Sequence, residues 1–503
     1  MSGNLTSRNL ASTMIQLINK ITNKEARKNA ILRFRERGII LPTFEQQRNP
    51  ELVPDKIRER LGQTGLWDVD PVNLFRITWK NEPVEHGGLY GGVNYIELPK
   101  ALTGIDARLV MLVGKWFPTG AHKVGAAYGC LAPQIITGGF DPTRQKAVWP
   151  STGNYCRGGA FDSKLMGTES VAILPEEMSQ ERFDWLRHEI GSEVIATPGC
   201  ESNVKEIYDA CWEIRRTRPD CVIFNQFDEF GNAAWHYNIT GNALEEAFTT
   251  VRHEGSVLAA YVSATGSAGT IAAGDYLRTI APGVRVVASE ALQCPTLLMN
   301  GFGGHRIEGI GDKHVPWIHN VRNTDVVTAI DDEDCMRLFR LFNEPAGHAF
   351  LREAGVDAQT IGNLHLLGIS CIANMLSAIK TAKYYEFTNN DVILSIATDS
   401  ADLYRSRLAE LNQERGAYTE RQAAVDFGKC LMGATVDYMK ELNYHDKKAI
   451  HNLKYFTWVE QQQKEVADLN QLWFDRDIWP ALFNQVHRWD ELIREFNDRV
   501  VNG

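Results

Sequence analysis

Lys123 stands where a cation is disfavoured. It falls in Pro118-Thr119-Gly120-Ala121-His122-Lys123, after a strand-like run from Arg108 to Val113. An Ala-, Leu- and Ile-rich run from Ala121 to Ile136 follows and predicts a helix. The first turn of a helix already carries partial positive charge, so an ammonium there is unfavourable. A lysine amine that gives up its proton becomes a nucleophile toward aldehydes. An isolated lysine at a helix start is ordinarily just solvated, so the residues downstream decide between the two.

Three polar turns follow strand-like runs. Ser151-Thr152-Gly153-Asn154 comes directly after Val148-Trp149. Two hydroxyls, a glycine and an amide at a helix start suit a carboxylate or a phenolate oxygen, although the same residues make an ordinary cap. Gly266-Ser267-Ala268-Gly269-Thr270 follows the run Val257 to Val262. Backbone N–H groups of such a loop can converge on a phosphate. The loop lacks both G-x-x-x-x-G-K and G-x-G-x-x-G, so a phosphate monoester fits better than a nucleotide. Asp399-Ser400-Ala401 follows Val392 to Ile396; a hydroxyl there suits a ring nitrogen, or caps a helix. An aldehyde held by lysine, a phosphate, an oxygen beside an asparagine and a ring nitrogen beside a hydroxyl or carboxylate together describe pyridoxal 5'-phosphate.

The elements that must position these turns read as an α/β array. Short apolar runs at 147–149, 171–174, 194–196, 222–224, 257–262, 284–288 and 392–396 alternate with helical stretches such as 180–190, 203–215, 242–252 and 363–381. Ligands in such sheets sit beyond the carboxyl ends of the strands, where all three turns lie. The first hundred residues read as helical, with Leu10, Met14, Leu17, Ile18 and Ile21 at helical spacing and a second run over 24–37. Residues 67–92, rich in glycine and aromatics, read as a packed surface loop in preference to a lid. After Gly416 no strand-like run remains. A capping box at Thr419 and Gln422 leads into Phe427, Leu431, Ala434 and Tyr438 at helical spacing, and Trp458, Trp473, Trp479 and Trp489 imply packing against the body or a second subunit.

The chain has 503 residues, enough for two or three units, and a net charge of −10, which argues against a general nucleic-acid partner. No apolar run reaches membrane-spanning length, and the N-terminal stretch lacks a signal-peptide core. Nine scattered cysteines without a C-x-x-C pair indicate neither a disulfide framework nor a metal site, and fit a cytoplasmic setting.

The order of these motifs resembles the fold-type II pyridoxal-phosphate enzymes, the tryptophan synthase β-like superfamily, and within it cysteine synthase and cystathionine β-synthase. The likeness spans about residues 105 to 412 and includes Gln226-Phe227 with Asn232 and His236, and His305-Arg306-Ile307-Glu308-Gly309-Ile310-Gly311. It implies two open, mainly parallel three-layer sheets with helical N- and C-terminal extensions. An N-terminal extension over 1–104 would join the large domain, a small mobile domain about 116–225 would be inserted in a 105–412 core, and 413–503 would be a helical tail. It also implies roles. Lys123 would carry the cofactor. Asn154 would lie by its phenolic oxygen, Gly266, Ser267, Ala268, Gly269 and Thr270 by its phosphate, and Ser400, or else Asp399, by its ring nitrogen. Ser151, Thr152, Gly153, Gln226 and Gly309 would face the substrate. The implied reaction is β-replacement or β-elimination on a small L-amino acid through an aminoacrylate, in a homodimer. An ammonia-releasing lyase and a non-catalytic cofactor-binding subunit are the alternatives. Departures are Ala268 for a glycine, Tyr155-Cys156-Arg157 for smaller residues, and Asp228 to Gly231 for a proline-containing turn.

Overall fold

The computed structural model describes residues 15–83, 87–151, 153–178, 180–199, 204–311 and 313–503. Thr152 therefore lies outside the described residues, as do Leu10 and Met14. Eleven strands form two sheets: β1 (Tyr95–Leu98), β2 (Arg108–Val113), β3 (Lys146–Pro150), β4 (Glu169–Pro175), β5 (Glu193–Thr197), β6 (Cys221–Ile223), β7 (Val257–Ala264), β8 (Arg285–Ala291), β9 (Val326–Ile330), β10 (Asp391–Ala397) and β11 (Met439–Glu441). The larger sheet runs β1-β2-β10-β7-β8-β9-β11 and the smaller β5-β4-β3-β6. All pairings are parallel except those of the two edge strands, β1 on β2 and β11 on β9. The central strands are near-continuous apolar runs, as burial on both faces by helices demands.

Register places the functional turns. Val113 at the end of β2 pairs with Ala397 at the end of β10, and β10 lies beside β7. The segment leading to Lys123, the turn at 398–400 and the loop at 265–270 therefore leave one edge of the larger sheet. Gly114 donates to the Ala397 carbonyl at 2.7 Å and His122 to that of Thr398 at 3.4 Å. From the smaller sheet, Ser151 follows β3 and donates to Ile173 of β4 at 3.0 Å.

The helical extensions clasp each other. The Lys24–Arg37 helix is capped by Asn23 and packs on the final Ile478–Asn502 helix, with Phe34 and Phe496 edge to face at 5.2 Å and an Arg27–Glu495 ion pair at 3.2 Å. Trp458, Trp473, Trp479 and Trp489 are all buried within this one chain. No helix among the described residues is long and apolar enough to cross a membrane.

Four expectations need correction. Residues 15–23 form no helix: Ile15 and Ile18 donate their N–H groups to Gln471 and Gln485 of the tail, so their spacing reflects docking. The tail does hold a strand, β11, which is three residues long and mostly exposed, and so leaves no apolar signature. The helix begun at the Thr419 capping box stops at Met432, after a π turn, and Tyr438 has φ 54°. The stretch 363–381 is broken, with a 3₁₀ turn at Leu364–Leu366 before the Ile369–Tyr384 helix, because Gly368 lies against the Asp399 carboxyl. The loop around 67–92 is packed as expected: Trp79 is buried and donates to Thr240 at 3.0 Å, and Arg76 donates to the Leu61 and Gly88 carbonyls.

Candidate active site

Lys123 is the first residue of the Lys123–Thr137 helix, at the positive end of its dipole. Its Nζ donates to Ser267 Oγ and to Gln226 Oε1, both at 3.3 Å. Gln226 in turn donates through Nε2 to Ser151 Oγ at 3.1 Å. One hydrogen-bonded chain thus joins the lysine to the loop expected to hold phosphate and to the turn expected to hold a carboxylate. Asn232 ties the set together, donating to the Gln226 carbonyl and to Ser267 Oγ, each at 3.0 Å.

The helix Asn154–Leu165 carries the second turn. Gly153 is its N-cap and has no side chain to bond the first N–H groups. Gly158 on this helix lies flat against the lysine segment. A Cβ there would sit 2.7 Å from Val124 N and 3.0 Å from the Lys123 carbonyl carbon. The close approach sets how near the two turns come.

The 266–270 loop precedes the Ala272–Ile280 helix. Among the described residues no carbonyl accepts from the N–H groups of Ser267, Ala268 or Thr270. Ala268 has φ 60°, a left-handed conformation that alternates the loop's N–H directions into a concave nest. A side chain on Gly269 would collide with the Asn232 amide. Thr270 Oγ1 pairs with Ser263 Oγ at 2.6 Å and Tyr261 holds the Thr270 carbonyl at 2.7 Å, so the nest is built on fixed parts.

At the third turn the two candidates separate. Asp399 Oδ2 accepts from Tyr404 and from Asn154 Nδ2, both at 2.6 Å, and Oδ1 is covered by Gly368. Burial raises its carboxyl pKa, against the pull of those two donors. Ser400 is buried, and its side chain makes no capping bond to the following 3₁₀ turn. Asp399 is therefore a structural bracket, and Ser400 has its hydroxyl to spare.

His122 and His236 back the lysine segment edge to face at 4.9 Å. Burial holds both well below the usual histidine range, helped by Lys123 at His122 and by His122 and then Lys123 at His236, so they are neutral packing groups. Gly309 has φ 90° in the 305–311 loop, and its carbonyl approaches Gly266. From the same loop Glu308 bridges Arg182 at 3.1 Å and Arg407 at 2.6 Å. A cavity of about 480 Å³ opens beside it, lined by Glu308, Arg407, Arg306, Asp332 and Glu414 among others. The sequence reasoning names Asn232 only as part of a motif, without a role, and misses Arg182 and Tyr404 as members of the site. Tyr404 does stand near a matched motif, but Arg182 lies on a helix with no motif of its own.

These residues fit the expected cofactor. Asn154 Oδ1 is buried with no partner, the nest has unmet N–H groups, and the lysine sits between them and the carboxylate turn. All expected site residues but Thr152, which is not described, lie at this one edge.

Comparison with known proteins agrees. The family model for pyridoxal-phosphate dependent enzymes matches residues 98–361, slightly over half the chain. A probable cysteine synthase of Bacillus subtilis is 28% identical over 319 residues, covering 63% of this chain and 94% of that one. The cystathionine β-synthase of Saccharomyces cerevisiae is 24% identical over 323 residues, and the match spans 62% of this chain and 60% of its length. The cysteine synthase structure from Entamoeba histolytica shares the fold at 21% identity, with TM-score 0.55 over 67% of this chain and 93% of that one. With the matched region containing the lysine, the turn at 151–154 and the nest, the chain belongs to the family of pyridoxal-phosphate dependent enzymes.

Proposed function

We propose that the protein catalyses β-replacement on a serine-type L-amino acid, as its cysteine synthase relatives are named for. The observation that carries this reading is the chain Ser151–Gln226–Lys123–Ser267, which sets a carboxylate-binding turn and a phosphate nest on either side of one amine.

Lys123 would hold pyridoxal phosphate, with Asn154 at its phenolic oxygen, the 266–270 nest at its phosphate and Ser400 at its ring nitrogen. When bound, the cofactor supplies an electron-withdrawing ring that makes the substrate's α-proton removable. Ser151 and Gln226, with Thr152 and Gly153, hold the α-carboxylate and so fix the α-carbon. Lys123 Nζ, held between Gln226 and Ser267, would be the base that takes the α-proton. Ser400 offers a hydroxyl where a carboxylic acid would protonate the ring nitrogen. A hydroxyl at that position would leave the ring a weaker electron acceptor, a setting that suits departure of a β-substituent. Gly309 and the 305–311 loop border the space the β-substituent would occupy. We also place the moving unit at about 116–225, within a 105–412 core flanked by the 1–104 and 413–503 extensions, and expect two copies per molecule.

The residues after Asn154, which depart from the family's smaller ones, bear on elimination as the second reading. Tyr155 packs on Trp149 at 5.4 Å and Cys156 is fully buried, so of these departures only Arg157 can alter the site. The test incubates the holoenzyme with O-acetylserine, serine, cysteine and threonine, with and without sulfide. A new thiol or thioether amino acid is expected. Pyruvate or another keto acid as the sole product in every case refutes replacement. Lys123→Ala must abolish the cofactor's visible band.

A further inference from the structure

Arg157 is a buried guanidinium that no carboxylate pairs with among the described residues. It lies on the first turn of the Asn154–Leu165 helix, its N–H donating to Gly153 at 3.1 Å, and the residue is 7% exposed. Its guanidinium carbon sits 5.3 Å from the Trp67 ring centroid and 5.2 Å from that of Trp185. Among the described residues it forms no ion pair, and its Nε is buried without an acceptor. Its neighbour Arg182 differs, being bridged to Glu308.

Two indole faces attract a desolvated cation, but less than its removal from water costs. Burial, and then the Arg182 charge, push Arg157 down to about 10, so it is still a cation at neutral pH. Among the described residues no carboxylate pairs with that charge.

The location is the rim of the candidate active site. Trp67 lies against Gly120, three residues before Lys123, with its ring 3.3 Å from where a Cβ would stand. Arg182 reaches Gly153, its Nη1 3.0 Å from that glycine's Cβ position. Asp399, which accepts from both Asn154 and Tyr404, and Tyr404 itself are the nearby acidic groups that act on Arg157. The α-carboxylate donors Ser151 and Gln226 and the phosphate nest are separate from it. A planar guanidinium fork in such a place matches a phosphate or carboxylate.

We propose that Arg157 receives a second anionic group of the amino-acid substrate, a phosphate or carboxylate carried on its β-substituent. This deepens the β-replacement reading and rests on it. The closing experiment uses binding of unreactive analogues to the wild-type holoenzyme, read by the cofactor's visible absorption and by tryptophan fluorescence. L-2-Amino-4-phosphonobutyrate, L-2-aminoadipate and L-norvaline share the α-amino acid and lack a β-leaving group. The anionic analogues are expected to half-saturate at concentrations at least tenfold lower than norvaline, and the phosphonate and carboxylate arms show which anion is preferred. Arg157→Gln is expected to shrink the gap below threefold and Arg157→Lys to keep part of it. Equal binding of all three analogues to the wild type overturns the proposal without need of a variant, as does a gap that survives in Arg157→Gln. Failure of every serine donor to give a replacement product refutes the reaction assigned above, and leaves the analogue gap to be read on its own.

Discussion

Gly158→Ala tests whether helix packing sets the position of the lysine. The added Cβ would lie 2.7 Å from Val124 N and 2.8 Å from Val124 Cα, both backbone atoms that no rotamer change can move. Ordinary contact starts at 3.4 Å, so the Asn154–Leu165 and Lys123–Thr137 helices must part by about 0.7 Å. Alanine gains about 1 kcal/mol of helix propensity over glycine. Overpacking of a tight contact costs about 1–3 kcal/mol, so the net effect is a loss of up to about 2 kcal/mol. The kinetic effect should be larger, because displacing a reacting group by about 1 Å costs on the order of a hundredfold in rate. Thermal unfolding of the holoenzyme and single-turnover rates on one batch of protein separate the two. The reasoning fails if the variant is more stable by the full propensity gain and reacts at the wild-type rate.

Ala268→Gly relieves a left-handed φ of 60°, which costs an alanine about 1–2 kcal/mol, against about 0.4–1 kcal/mol of extra chain entropy; a rise in thermal midpoint is expected, with the nest intact. Glu308→Gln leaves Arg182, whose side chain is 6% exposed, beside a neutral amide; about 3 kcal/mol of local stability should be lost and KM should rise, seen by melting and by steady-state kinetics. Asp162 is buried with both carboxyl oxygens unpartnered, and burial raises its pKa well above the ordinary value. The folded chain therefore keeps a proton that the unfolded chain loses above about pH 4, and stability falls with rising pH by about 1.4 kcal/mol per unit until the folded pKa is passed. Asp162→Asn removes that slope, so its advantage in urea midpoint over the wild type should grow from pH 5 to pH 7; a pH-independent difference contradicts the assignment.

The site was legible where chemistry sits directly behind a buried strand. β2, β3, β7 and β10 each show an apolar run ending in a glycine, serine or threonine turn, and the sheet register brings three of those turns together. What stayed hidden depends on long-range contact. Arg182 and Arg157 look like ordinary helix-surface charges until Glu308, Trp67 and Trp185 are placed around them. The choice between Asp399 and Ser400 could not be read from two adjacent letters, because it turns on Tyr404, Asn154 and Gly368 occupying the aspartate. β11 was invisible because an exposed edge strand of three residues needs no apolar pattern. The docking of residues 15–23 was misread as helix because the partner surface lies more than 450 residues away.

The clasp between the Lys24–Arg37 and Ile478–Asn502 helices has a bearing on biosynthesis. Phe34 is fully covered only once Phe496 exists, and β9 has its outer neighbour only once β11 exists. A ribosome adding about 5–20 residues per second needs roughly 25–100 s to make the later helix after the earlier one. Through that interval the nascent chain shows an uncovered apolar face, which chaperones recognise. A ribosome that stalls before the last helix releases a product with that face still exposed, and quality control can tell it from the finished enzyme.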